Sequence, residues 1–352
     1  MATKLPGVIR TGIIGAGMMG SLRARAVSQV GELRLVAVAD LREELARAAA
    51  CGQRGVRVIQ DGRMLAEDPE VDAVILSTPP ASHEALGTLC LRAGKHLLCE
   101  KPLATTPRGC EALIEAAHSA GVSLATGFNL RYTRAARLAR RLLDEGAIGE
   151  LDHIRAFHGH PGGKEFTHDW VHDRSVSGGG ALMDNGIHLI DLTRWFLGDV
   201  HQVAGFATHH TWRMAGCEDN GFLLLKNSRG RVAALQASWT EWRGYGYRLE
   251  IYGTQGFIRF GYPPLFLVHG RRTPGARPKV RRFWFSAYQI AERLRGWQWG
   301  LVETLVQELR SWARALLTGS PVPVGGLDGL EAVRIAQSAE HSFPVEPEPR
   351  NG

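Results

Sequence analysis

Long hydrophobic runs are missing from this 352-residue chain. No apolar stretch reaches the ~18 residues needed to cross a bilayer, so no membrane-spanning helix is expected. Residues Met1 to Gly7 carry no apolar leader core before the first strand-like run, and a cytoplasmic location is the expectation. Cysteine is scarce: Cys51, Cys90, Cys99, Cys110 and Cys217 are scattered, with no C-x-x-C pair. That excludes a disulfide framework and a thiolate zinc site, and leaves them as small buried hydrophobes. Internal repeats and low-complexity tracts are absent. Acidic surplus is lacking too, since 42 Lys and Arg face 35 Asp and Glu, a formal net charge of +7. Much of the excess lies in Arg271-Arg272 and Lys279-Val280-Arg281-Arg282, inside a Gly- and Pro-containing stretch that reads as a solvated loop. A nucleic-acid module would interleave aromatics with its cations, so neither nucleic acid nor membrane is expected as a partner. The positive field suits an anionic cofactor or a nucleotide-linked substrate.

What is present is ordinary for a globular protein, with 44% hydrophobic and 22% charged residues. At ~150 residues per domain, two domains are expected. Residues 1–127 alternate apolar runs (Val8–Ile14, Leu33–Ala39, Ala73–Ser77, His96–Cys99, Ser123–Thr126) with helix-like segments (Leu41–Cys51, Ser82–Ala93, Pro107–Ala120). This βαβ texture predicts a parallel Rossmann-type sheet covered on both faces. Residues 128–342 begin with a helix over Thr133–Glu145. Strand candidates follow at Leu151–His160, Val200–His209, Gly221–Lys226, Arg231–Trp239 and Arg248–Tyr252, an α+β domain with an open, mostly antiparallel sheet. Helices are expected over Leu301–Thr318 and Leu327–His341, the last packing back towards the first domain; residues 343–352 read as a tail. The second sheet has few helices to cover it, which predicts a homodimer or homotetramer built through that sheet.

Gly15-Ala16-Gly17-Met18-Met19-Gly20 is a G-x-G-x-x-G between an apolar strand and a helix. Gly15 permits the tight turn, Gly17 lets the backbone approach a pyrophosphate, and Gly20 lets helix and strand pack closely. The helix N-terminus offers free N–H groups to the phosphates. Asp40 ends the second strand, where an acid binds the adenosine ribose hydroxyls. A carboxylate there repels a 2′-phosphate and favours NAD over NADP, although Arg42 is placed to accept such a phosphate.

Two further segments follow strands: Ser77-Thr78-Pro79-Pro80-Ala81-Ser82-His83 and Cys99-Glu100-Lys101-Pro102-Leu103. A third is Gly178-Gly179-Gly180-Ala181-Leu182-Met183-Asp184-Asn185-Gly186-Ile187-His188-Leu189-Ile190-Asp191. Together with the glycine loop they resemble the Gfo/Idh/MocA family, the glucose–fructose oxidoreductase and inositol 2-dehydrogenase group, from residue 8 to about residue 340. The resemblance implies a nicotinamide-dependent oxidoreductase acting on a secondary alcohol of a sugar, amino sugar, cyclitol or nucleotide-linked sugar. By similarity, the family's lysine, aspartate and histidine fall on Lys101, Asp184 and His188. Ser77, Thr78, Pro79, His83 and Glu100 then join Lys101 beside the cofactor.

The chemistry of these residues agrees. Oxidising an alcohol needs a base for the hydroxyl proton and positive charge near the developing alkoxide. Lys101 supplies the charge or, desolvated, the base. Asp184 and His188, four apart, share a helix face, so Asp184 is expected to orient the imidazole. Which of Lys101 and His188 takes the proton stays open. Asp191 suits helix packing and a substrate contact equally, and His83 suits either support of the nicotinamide end or capping of its own helix. Arg131, in Gly127-Phe128-Asn129-Leu130-Arg131-Tyr132, is a candidate substrate or nicotinamide contact, with a surface salt bridge as the alternative. Inositol-type members often carry two arginines here, and this chain has Leu130 before Arg131. His158, His160, His168 and His172 precede the catalytic segment, but hydride transfer requires no metal. His158 and His160 are therefore read with Trp170 as lining of a sugar pocket rather than as zinc ligands. The alternatives are a non-catalytic dinucleotide-binding sensor and an enzyme whose tightly bound NAD serves elimination or epimerisation.

Overall fold

The computed structural model describes residues 7–162 and 170–339. Its first sheet holds six parallel strands, β1 (Ile9–Ile14), β2 (Leu33–Ala39), β3 (Arg57–Ile59), β4 (Ala73–Leu76), β5 (His96–Glu100) and β6 (Leu124–Gly127). Their order is β3-β2-β1-β4-β5-β6. Strands covered on both faces must be apolar throughout, and β4 is buried at every residue. The covering helices are α1 (Met18–Val27), α2 (Glu43–Ala50), α3 (Gly62–Ala66), α4 (His83–Arg92) and α5 (Pro107–Ala120). Local chemistry bounds α5: the Thr106 side chain accepts the Gly109 N–H, Pro107 opens the helix, and Gly121 closes it at φ +66°. The strand order reverses between β1 and β4, which opens a crevice at their carboxyl ends. β3 and α3, too short to carry a periodic signal, were not anticipated from the sequence.

The second sheet has eight strands: β7 (Leu151–Gly159), β8 (Val200–Thr208), β9 (Asn220–Asn227), β10 (Val232–Ser238), β11 (Gly246–Gly253), β12 (Gly256–Tyr262), β13 (Phe266–Thr273) and β14 (Ala276–Phe283). They run β14-β13-β12-β11-β7-β10-β9-β8, antiparallel except for the parallel pair β7–β10. Alternate residues Ile154, Leu223, Leu225, Leu235, Leu249, Ile251 and Phe260 form the buried face. Against it pack α6 (Arg134–Asp144) and α8 (Ile187–Leu197), with the one-turn α7 (Arg174–Ser177) between them in the chain. The opposite face is open and exposes Phe206, Phe222 and Leu224. The basic stretch read as a loop is the hairpin β13–β14, whose β14 is an exposed edge strand lined with cations, a common guard against edge-to-edge pairing.

After β14 the chain forms α9 (Ser286–Arg295), α10 (Trp297–Thr318) and α11 (Gly326–Ser338). α10 returns to the first sheet, where Val302, Leu305, Val306, Leu309 and Trp312 join the apolar cluster of Ile9, Ile13, Leu22 and Val38. α11 packs on α5 and α8.

Candidate active site

The glycine turn behaves as its sequence demands. Gly15 has φ +89°, and a Cβ there would lie 2.7 Å from the Ser77 and Thr78 backbone. A Cβ on Gly20 would lie 1.8 Å from the Gly15 oxygen, whereas one on Gly17 would meet nothing within 4 Å. Gly15 and Gly20 are thus required by the protein's own packing. Gly17, the N-cap of α1, faces open space beside free helix N–H groups, which fits a pyrophosphate cradle. Met18 is exposed there and Met19 partly so. The Asp40 carboxylate accepts the Ala16 N–H at 2.7 Å and the Arg42 N–H at 2.9 Å, so it is locked to the rim of the turn. The Arg42 residue itself is exposed.

Across the crevice, Thr78 Oγ1 accepts from Ser82 at 2.6 Å, Pro79 is exposed, and Ser77 Oγ is buried without a partner among the described residues. His83 is fully buried. Its Nδ1 lies 2.9 Å from the Pro102 carbonyl and its Nε2 2.8 Å from that of Thr78, so the ring braces the two loops from beneath. Burial pushes its pKa down. Glu100 is committed elsewhere: with Glu308 it pairs with the fully buried Arg23, tying β5 to α1 and α10.

Lys101 lies at the centre. Its Nζ donates to the Asp184 carbonyl at 2.9 Å and to Asp184 Oδ1 at 3.2 Å. Asp184 Oδ2 accepts the Trp239 indole N–H at 3.1 Å and faces His160 Nε2 at 3.3 Å. His160 Nδ1 accepts the Gly162 N–H, so Nε2 is the donor. Burial alone would raise the Asp184 carboxyl, but Lys101, His160 and Trp239 together hold it well below the usual carboxylate range. Asp184 sits in a π-helical turn, Leu182–Gly186, that leads into α8. The expected Asp184–His188 hydrogen bond does not form, because three other donors take up the carboxylate. His188 instead packs edge-on against Phe128, with ring centroids 5.9 Å apart, and its buried Nδ1 has no partner among the described residues. Burial, reinforced by the Lys101 ammonium, keeps its pKa well below the ordinary value.

His158 is buried with its ring 6.4 Å from that of His188. Its Nδ1 donates to the Asn185 carbonyl at 2.9 Å, while the Asn185 amide donates to the His158 carbonyl at 2.8 Å. His158 Nε2 and Asn185 Oδ1 are buried without a partner among the described residues. Burial pushes His158 down to about 4.

Other candidates are placed outside this cluster. Arg131 is buried in a two-point pair with Asp191 and reaches Asp328 at 2.9 Å, so it joins the β6–α6 connection to α8 and α11. Of the readings open for Arg131 and Asp191, the structure displays the salt bridge, as a buried internal ion pair rather than a surface one. Trp170 is 45% exposed in a short 3₁₀ turn, and the His172 ring packs edge-on against Trp239. His168 lies outside the described residues. Among the described residues no group of three His, Cys, Asp or Glu side chains is disposed to hold a metal. Sequence reasoning assigned no role to Trp239, Asn185 or Glu218. Buried Glu218 accepts the Gly180 and Leu182 N–H groups and so shapes the turn that carries Asp184. Trp239 continues the inward parity of Leu235 and Ala237 towards that turn, a signal the sequence did carry.

A doubly wound sheet with a glycine cradle and a lysine–carboxylate–histidine cluster at its carboxyl edge defines a dinucleotide-dependent oxidoreductase. Residues 9–128 match the oxidoreductase family, NAD-binding Rossmann fold, and residues 136–259 match the GFO/IDH/MocA C-terminal domain. The chain is 31% identical over 338 residues to inositol 2-dehydrogenase 2 of Saccharopolyspora erythraea, covering 94% of this chain and 92% of that one. It is 28% identical over 298 residues to levoglucosan dehydrogenase of Pseudarthrobacter phenanthrenivorans, covering 72% and 74%. A levoglucosan dehydrogenase structure in complex with NADH superposes with a TM-score of 0.84 at 27% identity, over 95% and 96% of the two chains. The chain belongs to the Gfo/Idh/MocA family of NAD-binding oxidoreductases.

Proposed function

We propose that this protein interconverts a secondary alcohol and a ketone on a cyclitol or sugar, with NAD as redox partner. The carrying observation is the anchoring of Lys101 Nζ by both the carbonyl and the carboxylate of Asp184. NAD, bound over Gly17, supplies the hydride acceptor or donor; the remaining tasks fall to the chain. Two ammonium protons of Lys101 are held by Asp184, and the third remains for the substrate oxygen, where negative charge develops. His188, kept neutral by burial, accepts the hydroxyl proton. His158 donates through Nδ1, so its Nε2 carries a lone pair and takes a second substrate hydroxyl. Buried acceptors around one ammonium suit a polyol, and the relatives named for inositol and levoglucosan support that class. Asp40 at the turn favours NAD over NADP.

This reading extends to a protein of two domains, divided near residue 127, that works in the cytoplasm. Exposed Phe206, Phe222 and Leu224 on β8 and β9 form its self-assembly surface, giving a dimer or tetramer. The test is NADH production by the purified protein across inositols, sugars and nucleotide sugars, repeated with Lys101→Ala and His188→Ala. Turnover that collapses in both variants supports the reading. Dinucleotide binding without turnover on any polyol would overturn it.

A further inference from the structure

One segment of this protein carries a charge equal to the formal net charge of the whole chain. Residues 251–291 contain seven cations (Arg259, Arg271, Arg272, Arg277, Lys279, Arg281 and Arg282) and no Asp or Glu. Elsewhere in the chain 35 Lys and Arg balance 35 Asp and Glu, so this segment accounts for the whole net charge of +7. Structurally it is the β12–β14 end of the second sheet, opposite the apolar β8–β9 end. Among the described residues none of the seven meets a carboxylate; Arg259 lies over the Phe266 ring at 5.6 Å. β14 is exposed along nearly its whole length.

The chain passes from β14 through Trp284, 51% exposed, straight into α9. That helix buries only Tyr288 and turns Ile290 and Leu294, one turn apart, outwards at 59% and 81% exposure, with Arg293 and Arg295 beside them. Trp297 follows, also exposed. Gln289 fixes α9 to the start of the hairpin by donating to the Leu265 carbonyl at 2.9 Å.

We propose that the β13–β14 hairpin and α9 form a docking surface for an anionic phospholipid bilayer. Unpaired cations answer lipid phosphates, the two tryptophans suit the headgroup level, and Ile290 and Leu294 offer aliphatic groups to the acyl boundary. A two-fold contact with a second copy would set the seven cations against seven more, and that repulsion disfavours self-association here. Trp284 and Trp297 alone would also suit stacked bases, but the exposed aliphatic pair Ile290 and Leu294 beside them has no role against a polynucleotide and fits the acyl boundary.

The test is flotation of the full-length protein with vesicles of phosphatidylcholine alone and with vesicles also containing phosphatidylglycerol. The expected result is binding only to the anionic vesicles, released by salt. Lys279→Glu combined with Arg281→Glu and Arg282→Glu lowers that binding by at least ~tenfold. Ile290→Ser with Leu294→Ser weakens it and leaves its salt dependence. A cooperative urea transition like that of the unaltered protein reports that each variant is folded. Three results would each overturn the proposal: no flotation with anionic vesicles, salt-sensitive binding to RNA or DNA in its place, or dissociation of an oligomer by the Ile290/Leu294 pair.

Discussion

Adding one methyl group to the glycine turn separates binding from folding. Gly17 has φ −62° and ψ −160°, open to alanine, and its Cβ meets no protein atom within 4 Å. Gly17→Ala removes freedom from the unfolded chain without straining the folded one, so the cofactor-free protein should gain ~0.4–1 kcal/mol. The same methyl group stands where the backbone must approach the pyrophosphate. NADH affinity should fall at least ~tenfold, equivalent to ~1.4 kcal/mol. Gly20→Ala is the counterpart: its Cβ lies 1.8 Å from the Gly15 oxygen, so α1 must retreat by well over an ångström. An overpacking loss of ~1–3 kcal/mol is expected. Urea unfolding without cofactor gives the stability arm, and titration of NADH fluorescence gives the binding arm. Gly17→Ala protein that is stable and binds NADH as tightly as the wild type would refute the placement of the pyrophosphate on this turn.

Three further outcomes follow from the site. Asp184→Asn keeps the shape but sets an amide N–H against a donor, either Lys101 or the Trp239 and His160 pair. kcat should drop ~10²–10³-fold with NADH affinity retained, and near-normal kcat would show that Lys101 needs no carboxylate anchor. Arg131→Met leaves buried Asp191 without its paired cation and Asp328 with only Arg194, at 3.7 Å; a loss of ~3–5 kcal/mol in urea unfolding, with polyol KM little changed, is expected, and the reverse pattern would favour Arg131 as a substrate contact. His158 is depressed from 6.5 to about 4 by burial, so its contribution is complete above pH 6.5 and is lost as pH falls towards 4. The loss is at most ~1.4 kcal/mol per pH unit; His158→Gln should flatten the stability profile in that window, and an unchanged slope would exclude this group as its source.

What the sequence made legible was local. The β1-turn-α1 unit, Asp40 and the alternating inner face of β7 to β11 each announce themselves within a few residues. Lys101 and Asp184, 83 residues apart, came together because each lies in a recognisable motif. Partners chosen across the fold were not legible. Asp184 takes Trp239 and His160 instead of the histidine four residues on, and Arg131 takes Asp328, 197 residues away. Hairpin β13–β14 was hidden for a different reason. An edge strand exposed on both faces has no apolar alternation to display, and Pro274, Gly275 and Pro278 read as loop. Glu218 carried no legible role because its value lies in two backbone N–H groups of the glycine run, which side-chain patterns do not reveal.

The return of α10 to the first sheet sets a timetable for synthesis. The face of β1 and β2 is closed by Val302, Leu305, Leu309 and Trp312, and Arg23 is neutralised in part by Glu308. A nascent chain that has completed β6 therefore carries an unfinished apolar surface and a cation lacking one of its partners. At ~5–20 residues per second, the segment that closes this surface emerges on the order of ten seconds later. Closure of the dinucleotide fold thus waits for a segment beyond the second sheet, and a ribosome stalled within that sheet would display it still in need of its lid.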